Sequence, residues 1–176
     1  VNHAGVPLCL IDEYRENPHS WVKLWKHHAA EPQAKRLNVL AARRGERFLS
    51  RYGGSISPEW LLPKLLETAE LAPSVFEAAD IFIEAADWVV WQLCGELTRN
   101  SCCAGYKGMW HKTEGYPSDD FLKELHPKRP FKQWGKSRSE VISPIRQRRK
   151  PMIGCITIFM LYSLYLAGVM GHYLES

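Results

Sequence analysis

Thr98-Arg99-Asn100-Ser101-Cys102-Cys103-Ala104-Gly105-Tyr106-Lys107-Gly108-Met109-Trp110-His111-Lys112 is the stretch whose reading matters most. Thr98 to Ser101 reads as a loop, and Trp110-His111-Lys112 leads into a turn at Gly115-Tyr116-Pro117. Two neighbouring cysteines and a nearby histidine raise the question of a metal. Adjacent side chains in a strand point to opposite faces, so Cys102 and Cys103 do not converge on one ion, and His111 lies eight residues further on. His27 and His28 share the problem. Five cysteines is an odd number without small-scaffold spacing, so no disulfide framework is expected, and Cys9, Cys94 and Cys155 read as core thiols. No metal ligand set emerges.

Upstream, the pattern is mainly helical. Val1 to Leu8 reads as a turn leading into a short strand. Trp21-Val22-Lys23-Leu24-Trp25 fits helical spacing or a buried strand, and the β-favouring residues tip the reading toward a strand. From Glu31 a helix begins with Pro32 in its first turn, and Ala34, Leu37, Val39, Leu40 and Ala41 form its apolar face up to Arg43-Arg44-Gly45. A second helical stretch, Glu46 to Tyr52, stops at Gly53-Gly54. Ser57 as cap and Pro58 at the first position predict another helix, interrupted at Ala72-Pro73, with a short helical turn from Ser74. Ile81 to Leu93 reads as a helix stopped by Gly95, and Ser118-Asp119-Asp120 caps a last helix, Phe121 to Leu125. Two to four short strands are expected among these helices.

The chain has 176 residues and a net charge of +4, enough for one domain with a real core. Its 45% apolar content and frequent aromatics exclude a disordered or collagen-like chain. Charge is unevenly spread. Residues 1–127 carry a net of −3 and residues 128–176 a net of +7, with every Lys and Arg of the latter between Lys128 and Lys150. Phe131 and Trp134 interleave that basic run, but a solvated segment is the better reading than a nucleic-acid site. Met152 to Tyr173 has no Lys, Arg, Asp or Glu and is long enough to span a bilayer as a helix. The phosphate-binding patterns Gly-x-x-x-x-Gly-Lys-Ser/Thr and Gly-x-Gly-x-x-Gly are absent, as is the nucleophile elbow Gly-x-Ser-x-Gly.

Trp21-Val22-Lys23-Leu24-Trp25-Lys26-His27-His28-Ala29-Ala30, Arg51-Tyr52-Gly53-Gly54-Ser55-Ile56-Ser57, Pro63 to Leu66, Ala85 to Glu96 and the stretch from Thr98 to Lys112 follow one another in a recognisable order. Together they resemble the FGGY family of carbohydrate kinases, and the Trp-Lys-His-His and Gly-Tyr-Lys-Gly-Met-Trp forms resemble its ribulokinase branch. The similarity covers roughly residues 5–127. It implies an α/β fold, part of an actin-like, ribonuclease-H-like N-terminal domain that is mostly helical in this portion. It also implies ATP-dependent, Mg²⁺-assisted transfer of the γ-phosphoryl group to the 5-hydroxyl of L-ribulose, in the arabinose catabolism of the cytoplasm.

Matched residue by residue, the resemblance makes Lys107 a donor to sugar hydroxyls, since an ammonium offers three hydrogens. It makes Trp25 an apolar wall for the sugar's C–H face. His28, Ser101 and Tyr106 are weaker candidates, by adjacency within the same motifs. The family's catalytic Asp and its ATP-binding second domain have no counterpart in this sequence, so the chain is expected to be inactive alone and to need that missing domain as its partner.

After His126-Pro127 the resemblance fades, although Glu140 to Ile145 is weakly similar to the family's continuation. The expected division is therefore 1–127 as the partial sugar-binding domain, 128–150 as a basic segment and 151–176 as an apolar tail. Two accounts of the tail are a reading-frame change near residue 128 and a fusion to a membrane anchor. The second would make the chain a non-enzymatic membrane-associated protein anchored by residues 152–173.

Overall fold

A proline in the first turn costs a helix no hydrogen bond, because that N–H has no intrahelical acceptor anyway. Helix α1, Glu31–Arg44, starts on this feature, and ends where Gly45 adopts φ 66° and its N–H closes on the carbonyls of Ala41 and Ala42. The computed structural model describes residues 1–126. After α1 come α2 (Phe48–Arg51), α3 (Leu61–Leu71), α4 (Pro73–Ala78), α5 (Ala85–Cys94), α6 (Ser101–Tyr106) and α7 (Asp119–Leu125). Short 3₁₀ turns lie at Leu8–Leu10 and Pro18–Ser20. The basic segment and the apolar tail, 152–173 included, lie outside the described residues. Among the described residues no helix is long and apolar enough to cross a membrane.

The core is built by α1, α3 and α7, with Phe48, Ile56, Phe76 and Met109 filling in from the connections and short helices. Leu37, Leu66 and Phe121 are wholly buried. Each such side chain contributes about 1.5–3 kcal/mol relative to exposure. Phe48 and Phe121 meet edge to face at 5.3 Å, and Tyr52 meets Trp60 the same way at 4.9 Å. On α1 the buried positions are Gln33, Ala34, Leu37, Leu40 and Ala41. Val39, expected on that face, is exposed, because it lies about 200° around the helix from Leu37.

Several expected elements change. Among the described residues there is no strand; the one bridge, His111 with Gly115, closes the turn before Tyr116. The expected α/β mixture therefore appears here as helix and loop alone. Residues 1–6 make the expected turn, in which the Asn2 side chain accepts from the N–H groups of Ala4 and Val6. The chain then enters a 3₁₀ turn instead of a strand. Trp21 to Trp25 forms neither strand nor helix. Trp21, Val22, Leu24 and Trp25 are exposed, and the segment is held by side chains rather than a backbone ladder.

Helix α3 begins at Leu61, not near Pro58, because the Ser57 hydroxyl donates to Glu59 Oε2 at 2.6 Å instead of capping the backbone. Ile81 to Glu84 is non-helical. There the Val1 amine donates to the Ile81 carbonyl, and the Val1 carbonyl accepts from the N–H groups of Asp80 and Ile81. Helix α5 consequently starts four residues later than the apolar pattern suggests. Cys94 is exposed and Cys9 half-buried, so neither is the core thiol expected; Cys155 lies outside the described residues.

Candidate functional site

Asn100 begins the local structure that carries Lys107. Its side-chain oxygen accepts from the N–H groups of Cys102 and Cys103, capping α6, a helix absent from the pattern reading. Its own N–H donates to Asp87 Oδ1 at 2.9 Å, tying α6 to the first turn of α5. Burial pushes the Asp87 carboxyl upward, against the Asn100 N–H and the Arg99 charge, which favour the carboxylate. At the far end of α6, Lys107 is the C-cap, and its carbonyl accepts from the N–H of Leu61 at the start of α3. Gly108 must follow. A β-carbon there would lie 2.9 Å from the Ala104 carbonyl oxygen, closer than real contacts allow. Met109 then takes φ 59° and enters the core, fixing the direction in which Lys107 leaves the helix.

The loop opposite is pinned by a buried charge. Glu67 on α3 is 1% exposed and accepts from Lys23 Nζ at 2.7 Å and pairs with His27 Nε2 at 3.0 Å. Lys23 Nζ also lies 3.1 Å from His19 Nδ1. Burial alone would raise the Glu67 carboxyl, but the Lys23 and His27 hydrogen bonds outweigh it and hold the group below the usual carboxylate range. Between Lys23 and His27, Lys64 Nζ donates to the Leu24 carbonyl at 2.9 Å. Burial lowers the Lys64 ammonium, with Lys107 and Lys23 acting in the same direction and Glu84 and Glu59 opposing them.

These two supports bring Trp25, Tyr106 and Lys107 together. Lys107 Nζ stands 5.0 Å from the centroid of the Trp25 ring, a cation–π arrangement, and pairs with Glu84 Oε2 at 2.8 Å. Trp25 and Tyr106 lie parallel, 6.5 Å between centroids and 6° between planes, and Tyr106 leans on Trp60 at 5.2 Å. Trp25 and Tyr106 are each about half exposed, so apolar ring surface faces solvent beside an ammonium and a carboxylate. His28 pairs with Glu59 at 3.5 Å on the exposed side of the same loop. Ser101, at the opposite end of α6 from Lys107, is exposed and is not drawn into the cluster. A separate open groove of about 430 Å³, lined by Arg44, Arg47, Arg51, Glu114 and Tyr116 among others, includes none of the expected site residues. Among the described residues no group of three or more His, Cys, Asp or Glu side chains could hold a metal ion.

The chain is 57% identical over 128 residues to the ribulokinase of Bacillus licheniformis, a match covering 73% of the chain and 23% of that protein. It is 49% identical over 148 residues to the ribulokinase of Halalkalibacterium halodurans, covering 84% and 26%, and 52% identical over 128 residues to that of Geobacillus thermodenitrificans, covering 73% and 23%. The chain belongs to the ribulokinase family. It spans about a quarter of the length of the curated relatives it matches. No family model matches it. The Halalkalibacterium match is longer than the segment 1–127, so likeness to ribulokinases continues beyond Pro127.

Within this ribulokinase segment, Glu84, Trp60, Lys64 and Glu67 belong to the cluster or to its supports and were not singled out by the sequence. Trp60 and Lys64 fit a helix that already had a packing role. Glu84 fell inside an expected helix, where a carboxylate reads as a solvated side chain. Only its position before α5, with no cap hydrogen bond to make, frees it to meet Lys107.

Proposed function

We propose that this chain supplies the sugar-contacting residues of a ribulokinase. The observation that carries the reading is the Lys107 ammonium poised over Trp25, with Tyr106 alongside and charged donors and acceptors at the rim. Carbohydrates present C–H faces that pack on aromatic rings and hydroxyls that need a few well-placed polar partners, and both are here. The substrate is L-ribulose, acquiring the ATP γ-phosphoryl group at its 5-hydroxyl; ATP with Mg²⁺ supplies that group. Phosphoryl transfer relies on positioning and charge stabilisation, and Lys107 and Trp25 contribute the positioning of the acceptor sugar. On this reading the role of this segment is to bind and orient the sugar, in a cytoplasmic enzyme.

The helices belong, on this reading, to an actin-like N-terminal domain whose partner domain holds the nucleotide and the catalytic Asp. Residues 1–127 form the body of the sugar-binding portion, and the family likeness past Pro127 supports counting part of the basic segment with it. Ser101 and His28 act at most at the periphery.

Titration of the purified chain with L-ribulose, followed by tryptophan fluorescence, tests the reading. The expected result is saturable binding that Lys107→Met abolishes with the circular dichroism spectrum unchanged. Binding unaffected by both Lys107→Met and Trp25→Ala refutes it. With ATP and L-ribulose, the chain alone is expected to release no ADP; sustained ADP release dependent on both would overturn the assignment of catalysis to the partner domain.

A further inference from the structure

Glu84 occupies the last position before α5, where a side chain normally turns back to cap the helix, yet it makes no cap hydrogen bond. It reaches Lys107 instead, through Oε2 at 2.8 Å. Its other oxygen, Oε1, has no hydrogen bond among the described residues, although the side chain is only 20% exposed. The ammonium has three hydrogens and gives one to this carboxylate, leaving two for a ligand. Thus an acceptor with spare capacity and a donor with spare capacity sit side by side against the Trp25 ring.

We propose that Glu84 is a specificity-determining residue of the sugar site. Resting on the function proposed above, this makes the site one for neutral polyhydroxy compounds bearing adjacent hydroxyls. One hydroxyl donates to Glu84 and its neighbour accepts from Lys107, so the ion pair is bridged, not broken. A hydroxyl can do both jobs because it is donor and acceptor at once.

The pair also excludes. A sugar acid or sugar phosphate brings an anion that Lys107 alone would welcome, but Glu84 already neutralises that charge and repels a second negative group. Without Glu84 the same site would be cationic, with Lys107 unpaired and Lys64 nearby. Selectivity of this kind arises as much from the repulsive partner as from the attractive one.

The test compares binding of L-ribulose and of ribonate, its anionic relative at the same chain length, to the full chain and to Glu84→Gln. Glutamine keeps the shape and an acceptor oxygen while removing the charge. The expected result is that Glu84→Gln weakens L-ribulose about tenfold, the scale of a lost charge-assisted hydrogen bond, and strengthens ribonate by a similar factor. Where Glu84→Gln does not fold, as judged by circular dichroism, Glu84→Asp serves instead and is expected to retain rejection of ribonate. Unchanged relative affinities in Glu84→Gln, or equal binding of both ligands by Glu84→Asp, overturn the proposal. If Lys107→Met abolishes L-ribulose binding while Glu84→Gln leaves the preference intact, the specificity role falls and the sugar site stands. If the unaltered chain binds neither ligand, both fall.

Discussion

Replacing Glu67 with Gln should loosen the loop that carries Trp25. The carboxylate is 1% exposed and takes Lys23 at 2.7 Å and His27 at 3.0 Å. Removing one member of a buried ion pair costs about 3–5 kcal/mol, because the partner is left charged and unpaired. Lys23 keeps 16% exposure and a contact to His19, which favours the lower end, about 3 kcal/mol. Set against a typical stability of about 5–15 kcal/mol for a domain, that loss is large. In urea it should lower the unfolding midpoint by about 1–3 M for ordinary denaturant slopes. Lys23→Met combined with Glu67→Gln should cost clearly less than the sum of the two single changes, since no lone charge then remains buried. A loss below about 1 kcal/mol in the single variant, or strict additivity in the pair, would refute the argument. The sign with pH follows from the lowered Glu67 carboxyl. Its contribution is complete above the unfolded-state value, about 4.3, and is lost as pH falls through the lower folded-state value. Acid unfolding of the unaltered chain should therefore be steeper below about pH 4 than that of Glu67→Gln.

Asn100→Ala removes the acceptor for two backbone N–H groups of α6 and should cost about 1 kcal/mol in thermal unfolding, with weaker L-ribulose binding because Lys107 sits at the end of that helix. Gly108→Ala forces a β-carbon to 2.9 Å from the Ala104 carbonyl and should destabilise the chain by about 1–3 kcal/mol, measured by urea unfolding. Cys103 is raised to about 11 by burial, with Asp87 and Glu84 adding to it. Peptide mapping after brief alkylation at pH 8 should find the exposed Cys102 modified and Cys103 spared, since only about one part in a thousand of Cys103 is thiolate.

Several helix boundaries were legible in the sequence. Pro32 and Gly45 bound α1, Ser118 caps α7 through the Phe121 N–H, and Ala72-Pro73 separates α3 from α4. Segments whose shape depends on distant partners were not. Trp21 to Trp25 carries strand-favouring residues but is shaped by Glu67, more than forty positions away, which no local pattern reveals. Ile81 to Glu84 has helical spacing but is held extended by hydrogen bonds to Val1. Likewise α6 was hidden because its cap, Asn100, sits among residues that read as a loop. For the site, the family likeness pointed to Lys107 and Trp25 and, by adjacency alone, to Tyr106, and the fold brings the three together from segments about eighty residues apart. It also pointed to Ser101, which sequence adjacency suggested but the length of α6 carries away. Glu84 required the fold, because its meaning lies in the cation it meets.

The most direct test of the sugar site is a crystal structure of the chain soaked with L-ribulose. The account predicts a sugar packed against the Trp25 ring, with hydroxyls within hydrogen-bond distance of Lys107 Nζ and Glu84. A sugar bound instead in the groove beside Arg51 and Glu114, with Trp25 and Lys107 bare, would contradict it.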